Sequence, residues 1–179
     1  ARLVRDLSNP LEAKSSDLYK AVQTCLALAV SRQTDYTRSL CIWHVTGEKL
    51  SHTFGRQALP MTWDFAEVFP FSRSSGDFNG ALEWVLKVCE ANSVLPHVGQ
   101  TETSSATTLP LPDEIAQAFI TDPPYFNSIP YADLSDFFYV WLKRTVGTIF
   151  PTLFKTTSSP KDEECCEMAG WDSVRYSHK

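Results

Sequence analysis

The stretch Ile115–Tyr125, IAQAFITDPPY, decides how this chain is read. Ile115–Thr121 is short, apolar and β-leaning, the pattern of a buried parallel strand. Asp122-Pro123-Pro124-Tyr125 then ends it, because proline lacks an N–H and cannot continue a ladder. Asp before Pro-Pro is also ordinary turn chemistry, so the tetrapeptide alone fits either a plain turn or a functional loop. Its place favours the loop: open α/β sheets bind ligands outside the carboxyl ends of their strands.

The residue types match one particular chemical problem. Asp122 offers a carboxylate that only accepts hydrogen bonds when ionised. The Pro123 peptide offers a carbonyl with no N–H beside it to compete. Two consecutive prolines stiffen the segment and position those acceptors in advance. Tyr125 adds a flat face on which an unstacked base can lie. Such a set can grip an amino group whose lone pair is delocalised into an aromatic ring. A strand ending in Asp-Pro-Pro-Tyr thus resembles the catalytic loop of enzymes that methylate exocyclic amino groups, mostly on nucleic-acid bases. Asp122 there orients the amino group and stabilises developing charge; it need not be a strong base.

Outward from the loop, the spacing predicts three helices. Asp133–Val146 has Leu134, Phe137, Phe138, Trp141, Leu142 and Val146 on one face. Asp133 or Ser135 stands near its start, Lys143 and Arg144 fall in its last turn, and Gly147 follows. Asp77–Asn92 has Phe78, Ala81, Leu82, Val85, Val88 and Cys89 at helical spacing, with Ser74 or Ser75 as its cap. Ser15–Ser31 is the third, capped by Ser16, with Leu18, Val22, Cys25, Leu26 and Ala29 apolar. Leu40–Trp43 is a short extended piece and Thr107–Leu111 a short strand edge. Trp63–Phe71, rich in aromatics and broken by Pro70, reads as a packed loop. From Ser158 the chain turns polar and acidic, and fraying is expected beyond Pro160. These elements divide the chain into a mostly helical, DNA-contacting segment over 1–100, a βα unit carrying the loop over 101–157, and a flexible tail over 158–179. Only two or three strands are countable, too few for a whole sheet.

Bulk properties narrow the classes. The 179 residues suit one domain or one plus a fragment, and 43% hydrophobic with 21% charged residues reads as globular. No apolar run approaches the ~18 residues of a membrane span, and no signal-peptide pattern opens the chain. The first residue is Ala, not Met, which fits a piece of something longer. Five cysteines with no framework spacing (Cys25, Cys41, Cys89, Cys165 and Cys166) fit a reduced, cytoplasmic protein. Cys41 and His44 form one C-x-x-H pair with His52 nearby, but zinc needs about four ligands, so no metal is expected. The net charge of −5 argues against strong non-specific DNA binding by the whole chain. Residues 1–59 nonetheless carry 8 Lys/Arg against 5 Asp/Glu, interleaved with Tyr19, Tyr36, Trp43 and Phe54. That fits a nucleic-acid face or a solvated surface over core aromatics.

Longer stretches carry a more specific likeness. TDPPYFNSIPYADLSDFFYVWLKR (121–144) resembles the adenine-specific DNA methylases that carry a zinc ribbon, large bacterial and archaeal proteins of which some are linked to phage defence. FGRQALPMTWDFAEVFPFSRSSGDFNGALEWV (54–85) and SLCIWHVTGEK (39–49) are similar to the segments preceding that loop in the same family. The resemblance spans roughly residues 15–160. It implies an α/β, partial Rossmann-like methyltransferase fold with additional helices, S-adenosylmethionine as donor, DNA as partner, and methylation of adenine at its exocyclic nitrogen. By that resemblance Asp122, Pro123, Pro124 and Tyr125 are the catalytic loop. Phe126, Asn127, Tyr131 and Asp133 continue the signature, with Asp133 a helix cap or a second substrate contact. The family's glycine-rich donor loop and zinc ribbon have no counterpart here, so an upstream part of the same protein is an expected partner. The Ser75–Gly80 run, SGDFNG, precedes a helix but follows no strand, and donor-binding residues stay unassigned. RNA or protein amino groups as substrates, or a non-catalytic DNA-binding module, remain open alternatives.

Overall fold

The computed structural model describes residues 17–55, 58–161, 164–167, 170 and 174. In order these form helix α1 (Asp17–Thr34), strand β1 (Trp43–His44), a 3-10 turn (Val45–Gly47), strand β2 (Lys49–Leu50), helix α2 (Phe78–Ser93) and helix α3 (Tyr131–Val146). Helix α1 packs against both α2 and α3, and the loop of interest leads into α3. The expected cap Ser16 and residues 162–163, 168–169, 171–173 and 175–179 of the expected tail lie outside the described residues.

The three helices lie close to their expected bounds, and each buries part of its expected apolar face: Ala29 on α1, Ala81 on α2 and Val146 on α3. On α1 the buried residues are Gln23, Ala27, Ala29, Gln33 and Thr34, whereas Leu18 stays 75% exposed. Helix α1 is flanked by helices on two sides. Alanines there allow close approach, and each glutamine serves a backbone carbonyl: one among the last of α3, which lack intrahelical partners, and one in the turn before α2. Gln23 Nε2 donates to the Thr145 carbonyl in the last turn of α3 (3.1 Å). Gln33 Nε2 donates to the Gly76 carbonyl just before α2 (2.7 Å). Helix α2 is capped by Asp77, not by Ser74 or Ser75: its Oδ1 accepts from the Gly80 N–H at 2.8 Å. Gly76, at φ +86°, makes the turn into that cap, and a Cβ there would meet the Tyr36 ring at 3.2 Å and Val68 at 3.3 Å.

Strands β1 and β2 pair antiparallel, Trp43 with Leu50 and His44 with Lys49. Glu48 takes the left-handed conformation that closes the turn (φ 44°). The hairpin is tied to the end of α1 through Asp35. Its carboxylate accepts from His52 Nδ1 (2.8 Å) and from the Thr53 N–H (3.2 Å), and its carbonyl accepts from Thr53 Oγ1 (2.8 Å). Cys41 is buried in this node, its Sγ 3.3 Å from both the Asp35 carbonyl and Thr53 Oγ1. Among the described residues no three His, Cys, Asp or Glu gather as a metal-binding group.

Ile115–Thr121 is not paired as a strand. It runs as irregular, solvent-exposed chain, with Phe119 74% and Ile120 94% exposed. Thr107–Leu111 likewise forms no strand. A parallel strand exists only by pairing with a neighbouring strand. The one ladder among the described residues is the four-residue hairpin, and it is antiparallel. The buried hydrophobic residues are correspondingly small: Ala27, Ala29, Ala81, Ala132, Cys41, Cys166, Val146 and Leu50.

Part of the acidic C-terminal stretch is held against α3. Asp136 accepts from the Ser159 N–H (2.8 Å), Ser159 Oγ (2.6 Å) and Lys161 Nζ (2.6 Å). Tyr139 Oη and Lys143 Nζ both donate to the Thr156 carbonyl. Burial alone raises the Asp136 carboxyl, but the hydrogen bonds from Lys161 and Ser159 outweigh it and hold the carboxyl below its usual value. A depressed folded value stabilises the fold above the unfolded pKa, and that stabilisation is lost as pH falls through the folded value. Asp136→Asn is therefore expected to cost about 1 kcal/mol at neutral pH, the low end for charge-assisted bonds on a partly exposed group. Paired thermal melts should show the gap between the two proteins closing below pH about 4.

Candidate functional site

The structure gathers the four loop residues around one open hollow of about 480 Å3. Asp122, Pro123, Pro124 and Tyr125 line it, and Ile129 and Tyr131 complete its wall. Tyr131, the first residue of α3, reaches back so that its hydroxyl accepts from the Tyr125 N–H at 3.2 Å. One residue further on, the Phe126 carbonyl accepts from the Glu167 N–H at 2.6 Å. The prolines stiffen the loop from within, and these two backbone bonds fasten it to α3 and to the C-terminal stretch. Tyr125 keeps 63% of its surface exposed, so its ring is open to a ligand. Among the described residues nothing hydrogen-bonds the Asp122 carboxylate, which leaves its acceptor positions open to a substrate.

The start of α3 differs from the expected one. Pro130 stands at the cap position without a side-chain hydrogen bond, and Asp133 lies in the first turn. There its charge favours the helix dipole. The Ala132 N–H is served by Glu164 Oε1 at 2.9 Å. Asp133 faces a second hollow of about 280 Å3, shared with Arg38, Phe54 and Phe137. Arg38 lies 3.2 Å from the Phe137 ring centre and 5.7 Å from that of Phe54. Of the basic and aromatic residues interleaved in the first third of the sequence, Arg38 and Phe54 are thus brought together beside α3.

Two parts of this arrangement had no signal in the sequence. The contact of Tyr131 with Tyr125 depends on how the intervening turn folds, which no periodicity encodes. Asp35, His52 and Tyr36 form a chain in which His52 Nε2 lies 3.1 Å from Tyr36 Oη, and burial pushes the Tyr36 phenol up. Residues far apart in sequence give no local hint of such a chain.

A donor such as S-adenosylmethionine does not fit the residues described around the loop. No glycine-rich turn follows a strand among them, and Ser75–Gly80 is occupied in starting α2 through the Asp77 cap. No protein-family model, no curated protein and no solved structure matches the chain. Among the described residues no helix is long and apolar enough to cross a membrane.

Proposed function

We propose that this chain is the catalytic-loop part of a cytoplasmic DNA methyltransferase acting on the exocyclic nitrogen, N6, of adenine. S-adenosylmethionine supplies an activated methyl group in this reading, and an upstream part of the same polypeptide holds it. The observation that carries the proposal is the gathering of Asp122, the Pro123–Pro124 pair, Tyr125 and Tyr131 around one hollow. Asp122 and the Pro123 carbonyl accept the two amino hydrogens and localise the nitrogen lone pair toward the incoming methyl group. Tyr125 stacks on the base. Asp122 would keep the amino group in place while its nitrogen takes up the methyl carbon, and the proton then shed would pass by way of the exposed Asp122 carboxylate to solvent.

The reading includes a partial Rossmann-like fold, in which Ile115–Thr121 would gain a neighbouring strand. Phe119 and Ile120 in water are unfavourable by about 1.5–3 kcal/mol each relative to burial. A neighbouring strand would cover them and place Asp122 at the carboxyl end of a parallel strand.

Tyr125 gives the test. Stacking of a base on an aromatic ring is worth about 1–3 kcal/mol. In the complete protein, Tyr125→Ala is expected to raise KM for DNA by roughly 10–100-fold with kcat changed much less, and Tyr125→Phe to stay near wild type. The bond from the Tyr125 N–H to Tyr131 belongs to the main chain and survives both substitutions. Equal kinetics for the Ala and Phe variants would remove Tyr125 from the site.

A further inference from the structure

A third hollow, of about 470 Å3, opens between the C-terminal end of α1, the hairpin and the start of α2. It shares no wall residue with the loop hollow. We propose that it binds a nucleoside phosphate, with the phosphate on Arg32, Lys49 and His44, a sugar hydroxyl on Asp77 and the base against Trp84. The proposal does not rest on the methyl-transfer reading.

The volume falls in the range of small-molecule sites. Arg32 and Lys49 line it, and neither has a carboxylate partner among the described residues. His44 Nδ1 already accepts from the Gly47 N–H at 3.0 Å. The neutral ring therefore carries its proton on Nε2, which is left to donate to an anion. The start of α2 is the positive end of a 16-residue helix.

Asp77 separates a nucleotide from a bare anion. It is only 5% exposed and lines the hollow, and its Oδ2 has no hydrogen-bond partner while Oδ1 caps Gly80. A buried carboxylate oxygen needs a donor. Inorganic phosphate brings like charge and few donors to it, whereas a sugar hydroxyl brings a donor without charge. Trp84 supplies the apolar plate: it is 56% exposed, with the Arg32 guanidinium 5.4 Å from its ring centre. Arg32 is thereby held where it can meet both base and phosphate. Anion donors, an acceptor and an aromatic plate in one hollow match the three parts of a nucleotide.

A free nucleotide and the 5′-phosphorylated end of a nucleic-acid strand carry the same chemistry, and titration separates them. Calorimetry on the protein would use adenosine 5′-monophosphate, adenosine, inorganic phosphate and a 5′-phosphorylated single-stranded oligodeoxynucleotide. The expected result is adenosine 5′-monophosphate bound at least tenfold more tightly than either adenosine or phosphate. Arg32→Gln and Trp84→Leu should each weaken it at least fivefold, with Asp122→Ala without effect. Lys49→Gln, on the exposed hairpin, provides the same loss if an α1 or α2 variant fails to fold. Tenfold preference for the oligonucleotide, lost in the same variants, assigns the site to strand ends. Nucleotide and oligonucleotide both binding no better than phosphate, or binding unchanged in the variants, would overturn the proposal.

Discussion

Asp122→Ala is expected to lower methyl transfer by roughly 100–1000-fold or more in the complete protein, the scale seen when one preorganised electrostatic partner of a transition state is removed. The carboxylate lies on an exposed loop whose fastening runs through the backbone of Tyr125 and Phe126. Its loss should leave the melting temperature unchanged, because surface substitutions away from buried networks stay within about 0.5 kcal/mol. Donor affinity should also persist, since the proposal gives the donor to an upstream part of the polypeptide. Asp122→Asn keeps the shape but replaces one acceptor oxygen with a donor NH2. It should be nearly as impaired as the Ala variant if acceptance of the amino hydrogens is the working part. A variant that retained full rate would reduce the Asp-Pro-Pro-Tyr run to a turn.

Asp35→Ala should have the largest effect on stability. One side chain there receives both His52 Nδ1 and the Thr53 N–H, and Thr53 is fully buried. Truncation strands a part-buried donor and releases His52 from the hairpin end, at a cost of about 2 kcal/mol. For a chain of this length that corresponds to a melting temperature lower by roughly 4–8 °C. Asp35→Asn retains an acceptor for Thr53 and should lose less. Because the hairpin and α1 also wall the nucleotide hollow, Asp35→Ala should loosen that site too. Asp122 should keep its surroundings, since its loop is fastened to α3 and the C-terminal stretch instead.

Helix positions were legible because each carries its own local code. Helix α3 ends at Val146 as the Lys143-Arg144 turn and Gly147 imply, and α2 lies one residue from its expected bounds. Which face each helix buries was legible only in part: Ala29, Ala81 and Val146 lie on the expected faces and are buried. Leu18 and Val22 have the right spacing for a core stripe yet stay exposed, while Gln23, Ala27 and Gln33 are buried because two helices press on α1 at once. Ser74 and Ser75 were reasonable caps, but Asp77 lies nearer the helix and takes the Gly80 N–H. The hairpin was too short for periodicity to show. The strand expectation for Ile115–Thr121 rests on composition, and a strand also needs a partner, which composition does not contain. For the candidate site, proximity of Asp122, Pro123, Pro124 and Tyr125 follows from their being consecutive. The closure of the hollow by Tyr131 and Ile129 is the part that folding adds.

The most direct measurement is methyl transfer from isotopically labelled S-adenosylmethionine to DNA by the complete protein, with the modified base identified by mass spectrometry after digestion to nucleosides. The account predicts label in N6-methyladenine, absent with Asp122→Ala. Label confined to RNA or protein, or no transfer to DNA by a folded, donor-bound protein, would contradict it.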